Sequence, residues 1–253
     1  LNSQKTKDTN SEGIRLQVWL ARAGVTSRRG AVEIIENGRI RINGKVTCEP
    51  GARVQPDDKV QMDARLLGQG QRKVYYALHK PPKYLCSTAD DAGNRLLALG
   101  LIQPFVSERL FTVGRLDYMT SGLLLVTNDG EWAKSLLHPS SEIEKEYWVQ
   151  TKKDVPVELM ESFKEGLRVE GELLRCRAFN LTGSHSVTLT LSEGKNREIR
   201  KVFLTRSITV KRVHRWRFGP VTLKGLEPGR FRKLSESEVR QLRKEGENHG
   251  RSH

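Results

Sequence analysis

The chain has 253 residues, 36% of them hydrophobic, enough for one large domain or two smaller ones with real cores. Its 44 lysines and arginines against 30 acids leave a net charge of +14. That predicts a polyanionic partner, and the absence of a basic amphipathic helix favours nucleic acid over an anionic membrane. No run approaches the roughly 18 apolar residues of a bilayer span, and residues 1–13 lack the apolar core of a secretory signal, so a cytoplasmic protein is expected.

In chain order, residues 1–13 are polar and without periodicity and read as a disordered leader. Leu16, Trp19, Leu20 and Ala23 fall at helical spacing before Gly24. Thr26 or Ser27 can cap a second helix whose Ala31, Ile34 and Ile35 face inward. Two runs, 39–42 and 45–46, flank Asn43-Gly44, a strong hairpin signal, and Val54, Pro56-Asp57-Asp58, Val60 and Met62 suggest another hairpin. Arg28, Arg29, Arg39 and Arg41 gather on the second helix and the strand after it, which fits either a nucleic-acid contact or an ordinary solvated basic face. Gly38 to Lys45 is no phosphate loop: the glycines are misplaced and Val46 stands where a magnesium-binding hydroxyl belongs, so no nucleotide cofactor is expected. The polar, glycine-bearing stretch 63–72 reads as a linker between domains covering 14–62 and 73–234.

The second domain opens with a strand at Val74 to Leu78, stopped by Pro81-Pro82. Leu123 to Val126 is short, wholly apolar and closed by Asn128-Asp129-Gly130, which reads as a buried strand. Asp117 lies in the segment leading into it; if that segment is extended, Arg115 and Asp117 share one face and Leu116 takes the other. A helix is expected around Trp132 to Leu137 and another from Pro156 to Phe163, with strands over 145–150 and 186–191. If 196–203 is helical, Asn196, Ile199, Arg200 and Phe203 share a face, Arg200 points inward, and Asp117 is the carboxylate to pair with it. Cations alternate with aromatics in 211–220, which fits either phosphate contact and base stacking or a strand with one buried face. Residues 235–253 read as a frayed helix and polar tail. Strands outnumber helices after residue 73, so the class is α+β with a largely antiparallel mixed sheet. Cys48, Cys86 and Cys176 are far apart, with no histidine at zinc spacing; they are expected to be free thiols, with no metal.

Gly114-Arg115-Leu116-Asp117, Thr120, Gly122-Leu123-Leu124-Leu125 and Thr127-Asn128-Asp129-Gly130 fill every fixed position of a signature that resembles that of the RsuA/RluB-type pseudouridine synthases. Lys145-Glu146-Tyr147 and Glu193-Gly194, Asn196-Arg197, Ile199-Arg200 and Phe203 continue the likeness. The segments 21–29 and 38–46 are similar to the small RNA-binding domain named after ribosomal protein S-four. The resemblance covers about Ile14 to Glu238 and departs from the family at Lys83, where glycine is usual. It implies that Asp117 is a nucleophile, Tyr147 an active-site tyrosine and Arg200 the arginine paired with Asp117. It further implies that Arg115, Thr120, Asn196, Arg197 and Arg215 face the substrate. The implied reaction converts a uridine in ribosomal RNA to pseudouridine without a cofactor, on a base flipped out of a stem-loop, by attack on either the base or the ribose. Segment 196–200 looks more RluB-like, favouring large-subunit over small-subunit RNA; the protein is expected to act as a monomer. The rival from another class is a non-catalytic RNA-binding protein of ribosome assembly, which would need no Asp117, Tyr147 and Arg200 together.

Overall fold

The computed structural model describes residues 13–68, 70–87 and 94–248. The leader expected at 1–13 falls, apart from Gly13, outside the described residues, as does the tail beyond 248. The chain divides into two compact units, Leu1–Lys73 and Val74–His253.

In the first unit, β1 (Ile14–Arg15) leads into α1 (Leu16–Arg22) and α2 (Arg28–Glu36), followed by β2 (Ile40–Ile42), β3 (Lys45–Thr47), β4 (Arg53–Val54), β5 (Val60–Met62) and β6 (Arg65–Leu66). The Ser27 hydroxyl caps α2 by accepting the Gly30 N–H at 3.0 Å. Leu16, Leu20, Ala31 and Ile35 pack with Ile40, Val54 and Val60 into one core. The Asn43-Gly44 turn forms as expected, both residues at positive φ (51° and 81°), the pattern of a tight hairpin turn. Two expectations are corrected. Val54 and Val60 do not form a hairpin: β4 pairs with β1, while β5 pairs with β2 and β6. The stretch 63–72 is not all linker, because β6 pairs with β5 and Leu67 packs on the core.

The second unit runs β7 (Tyr75–Lys80), β8 (Tyr84–Leu85), β9 (Leu96–Leu97), β10 (Phe111–Val113), β11 (Ser121–Thr127), α3 (Gly130–Leu137), β12 (Lys145–Thr151), α4 (Val157–Glu165), β13 (Leu167–Val169), β14 (Glu172–Leu174), β15 (Ala178–Gly183), β16 (Ser186–Leu191), α5 (Glu198–Leu204), β17 (Val210–Phe218), β18 (Val221–Thr222), β19 (Phe231–Lys233) and α6 (Glu236–Asn248). Its main sheet has the order β15-β16-β12-β17-β11-β7-β19, with β10 on β11 and β18 on β17. Only the β11–β17 pairing in this sheet is parallel, so the expected α+β class and largely antiparallel mixed sheet hold.

β11 reads as unbroken apolar because both its faces are covered. Leu124 and Val126 join a core with Phe163 of α4 and Phe203 of α5, whereas Leu123 and Leu125 face Trp132 of α3 and Leu242 of α6. The C-terminal segment is therefore not a frayed end. Ser235 and Glu238 form a reciprocal capping box, the Ser235 N–H donating to the Glu238 carboxylate and the Glu238 N–H to the Ser235 hydroxyl. Arg232 binds the same carboxylate with both terminal nitrogens, and Leu242 is fully buried. Among the described residues no helix is long and apolar enough to cross a membrane.

Candidate active site

Asp117 sits on a turn between β10 and β11 that is held from three sides. Its own carbonyl accepts the Thr120 N–H at 3.0 Å. The neighbouring Leu116 is buried and donates its N–H to Cys86 Sγ at 3.4 Å. From the end of β7, the fully buried Lys80 donates Nζ to the carbonyls of Thr120 (2.7 Å), Pro81 (3.0 Å) and Tyr118 (3.4 Å). The Tyr118 carbonyl also accepts the Lys83 N–H at 2.7 Å. Lys83 has φ of 66°, the left-handed region that favours glycine, in keeping with the glycine that the resemblance leads one to expect there. The alternation expected before β11 is present: Leu116 is buried, Arg115 exposed and Asp117 half-buried.

One register line across the sheet positions the rest. Tyr147 on β12 pairs with Arg215 on β17, Arg215 with Gly122 on β11, and Gly122 with Lys80 on β7. A register shift in β17 opposite Glu146 and Tyr147 leaves Trp216 unpaired, so that Arg215 falls beside Tyr147 and Arg217 beside Glu146, which it binds. Beyond the row, the lysine two residues before Tyr147 faces the same cleft: Lys145 is buried, lies 5.4 Å from the Phe218 ring and donates Nζ to the Ser192 carbonyl at 2.6 Å.

Asp117, Arg115, Thr120, Tyr147, Arg200 and Arg215 line a single cleft of about 410 Å³, the size of a small-ligand site, and Arg197 lies at it too. Thus most of the residues expected at the site converge. Asn196 does not: it is exposed and outside the lining. The expected Asp117–Arg200 ion pair is also absent among the described residues; Arg200 instead donates Nη1 to the Val210 carbonyl at 2.9 Å, leaving Nη2 without an acceptor. Burial lowers the Arg200 pKa and Arg197 adds to this, while the charge of Asp117 opposes both. Arg215 is not a surface phosphate contact, being 4% exposed, and the 211–218 stretch is a strand with a buried face. In the first unit Arg28 and Arg29 are exposed, whereas Arg39 is held by Asp63 and Arg41 donates to the Gly44 carbonyl at 3.1 Å. The three cysteines are free thiols, and no group of metal ligands is found among the described residues.

Sequence reasoning passed over Lys80, Lys145 and Glu198. Period-two spacing from Tyr147 was the available signal for Lys145. Glu198, at the start of α5, is 5% exposed and lines the same cleft. Burial pushes its pKa up to about 7, and burial likewise lowers Lys145 to about 8, with Arg215 adding to the effect. Between pH 4.5, the ordinary value, and about 7 the folded carboxyl therefore holds a proton that the unfolded chain has lost, so stability falls as pH rises through that window. Glu198→Gln should flatten this slope: relative to wild type it should gain on the order of 1–3 kcal/mol at pH 8 and little at pH 4, read by urea unfolding.

Comparison with known proteins agrees with this geometry. Residues 74–205 match the RNA pseudouridylate synthase family and residues 14–60 the S4 domain. An uncharacterized RNA pseudouridine synthase of Borreliella burgdorferi is 39% identical over 90% of this chain and 93% of its own. The ribosomal large subunit pseudouridine synthase B of Bacillus subtilis is 37% identical over 90% of this chain and 95% of its own. A crystal structure of a pseudouridylate synthase superposes with a TM-score of 0.65 at 27% identity, covering 90% of this chain and 99% of that one. An aspartate on a clamped turn that shares one cleft with a tyrosine and several arginines, on a chain with these relatives, leaves one assignment: the protein belongs to the RNA pseudouridine synthase family, with an S4 domain ahead of the synthase domain.

Proposed function

We propose that the protein isomerises one uridine of large-subunit ribosomal RNA, with Asp117 as nucleophile. The carrying observation is that Asp117, half-buried and with no partner for its carboxylate among the described residues, opens into the cleft that also holds Tyr147 and Arg200. The reaction breaks the N1–C1′ bond, forms a C5–C1′ bond, and moves one hydrogen from C5 to N1, so composition is unchanged and no redox partner or co-substrate is consumed. Asp117 supplies the electron pair, to the ribose or to the base, and regains it when the product forms. Arg200 and Arg115 line the same cleft as Asp117. Tyr147 offers its ring as a stacking surface for a flipped uracil, which offsets an unstacking cost of roughly a few kcal/mol.

Large-subunit RNA is favoured by the name of the Bacillus subtilis relative, a ribosomal large subunit pseudouridine synthase, and by the segment from Asn196 to Arg200. The exposed Arg28 and Arg29 of the S4 domain supply phosphate contacts on a stem-loop, which orders the target for a monomeric, cytoplasmic enzyme. The test is incubation of the purified protein with each purified ribosomal RNA, followed by chemical mapping of pseudouridine. One or a few sites should appear in the large-subunit RNA. Modification confined to the small-subunit RNA would overturn the substrate, and conversion of neither RNA would overturn the reading.

A further inference from the structure

Arg215 is anchored on three sides and short of one partner. Its backbone is fixed between Gly122 and Tyr147, its Nε donates to the Leu123 carbonyl at 2.8 Å, and its Nη1 to the Tyr147 hydroxyl at 3.4 Å. Its Cζ lies 5.4 Å from the Phe218 ring and 6.0 Å from that of Tyr147. No carboxylate pairs with it, and its buried Nη2 has no acceptor among the described residues. Leaving a guanidinium N–H unpaired away from water is costly, and Arg215 is one of the residues lining the cleft, so the unpaired atom points to an acceptor that arrives with the ligand.

Resting on the reading above, we propose that Arg215 holds the uracil by a carbonyl oxygen through the whole isomerisation, including the stage at which the base is detached from the ribose. A uridine offers two kinds of acceptor. Phosphate oxygens stay with the strongly hydrated backbone outside the cleft, whereas Arg215 is nearly sealed, behind the hydroxyl end of Tyr147. A base stacked on the Tyr147 ring brings its edge to that end.

The geometry of the reaction gives this donor a second use. To exchange N1 for C5 at the ribose, uracil must turn about the line through C6 and N3, and this turn swaps C2 with C4. Both carbons carry a carbonyl oxygen. A donor fixed on the protein therefore meets oxygen before the turn and oxygen after it, and keeps hold of a base with no covalent tie to the RNA. Cytosine carries an amino group at C4 and would set N–H against N–H in one of the two orientations, so the same arginine selects uracil.

The experiment uses the full chain and a synthetic stem-loop carrying the mapped target as uridine, 2-thiouridine or 4-thiouridine, under single-turnover conditions. Sulfur accepts hydrogen bonds weakly, and losing a charge-assisted bond lowers the wild-type rate about tenfold. Both thio substrates should show that loss, because each carbonyl in turn occupies the Arg215 position. In Arg215→Lys, which keeps the charge but not the fork, uridine itself should react slowly and neither thio substitution should cost more than about twofold further. A wild-type penalty confined to one thio substrate, or undiminished thio penalties in Arg215→Lys, would overturn the proposal. The wild-type comparison decides alone if the variant fails to fold. Failure of wild type to convert the unmodified stem-loop would instead defeat the reading on which the proposal rests.

Discussion

Asp117→Asn should abolish pseudouridine formation, by roughly 10⁴-fold or more, while leaving fold and RNA affinity near wild type. The size of the loss follows from the role: an amide cannot supply the electron pair that a carboxylate does, and nothing else in the cleft replaces it at the same place. The sparing of the fold follows from the contacts. The turn is held by the Asp117 carbonyl, the Thr120 N–H and the three bonds from Lys80, all of which involve backbone groups of the turn or of Pro81 and none of which uses the Asp117 side chain. Rapid-quench assays of pseudouridine, with filter binding and thermal unfolding on the same preparation, separate the three quantities. Turnover within tenfold of wild type would remove Asp117 from the chemistry.

The largest effect on stability is expected at Gly122. Its φ is 119°, and a Cβ there would lie 2.1 Å from the Arg215 carbonyl oxygen and 2.6 Å from the Arg215 nitrogen, so even alanine strikes backbone that cannot swing aside. β11 and β17 would have to separate at their one parallel pairing in the main sheet. Gly122→Ala should cost roughly 3–5 kcal/mol, a large part of a typical domain's stability. Gly130→Ala is the matched control, since nothing lies within 4 Å of a Cβ at that position and no positive φ is required. Urea titrations of the two variants should differ by several kcal/mol; a Gly122→Ala protein with the wild-type midpoint would mean that the strands tolerate a wider separation.

Much of the site was legible because its signals are local. The turn after Val126, the Asn43-Gly44 hairpin and the alternation of Arg115, Leu116 and Asp117 each depend on a handful of adjacent residues, and all are present. What went astray depends on partners distant in sequence. Pro56-Asp57-Asp58 looks like a hairpin turn, but the strands on either side found other partners. That Arg215 is buried was not legible, because one residue, Trp216, left out of the pairing with β12 changes how the strand lines up with Tyr147, and no propensity announces that. Lys80 was overlooked because lysines are rarely buried; three carbonyl acceptors converging on it are a property of the folded chain. The final helix was misjudged for another reason. Its composition is polar and one leucine carries its packing, although Ser235 and Glu238 already stood at capping-box spacing.

The row from Tyr147 through Arg215 and Gly122 to Lys80 has a consequence for how the enzyme comes into being. Its members are drawn from both halves of the synthase unit, and each pairing closes a long loop of chain, so the row forms only after the distant strands have met. A nascent or half-refolded chain can display its basic helix and its hairpins and still have no uracil pocket. Competence to bind RNA is then gained before competence to modify it, and during refolding from urea, recovery of activity should trail the recovery of helical signal and coincide with the slowest phase of sheet formation.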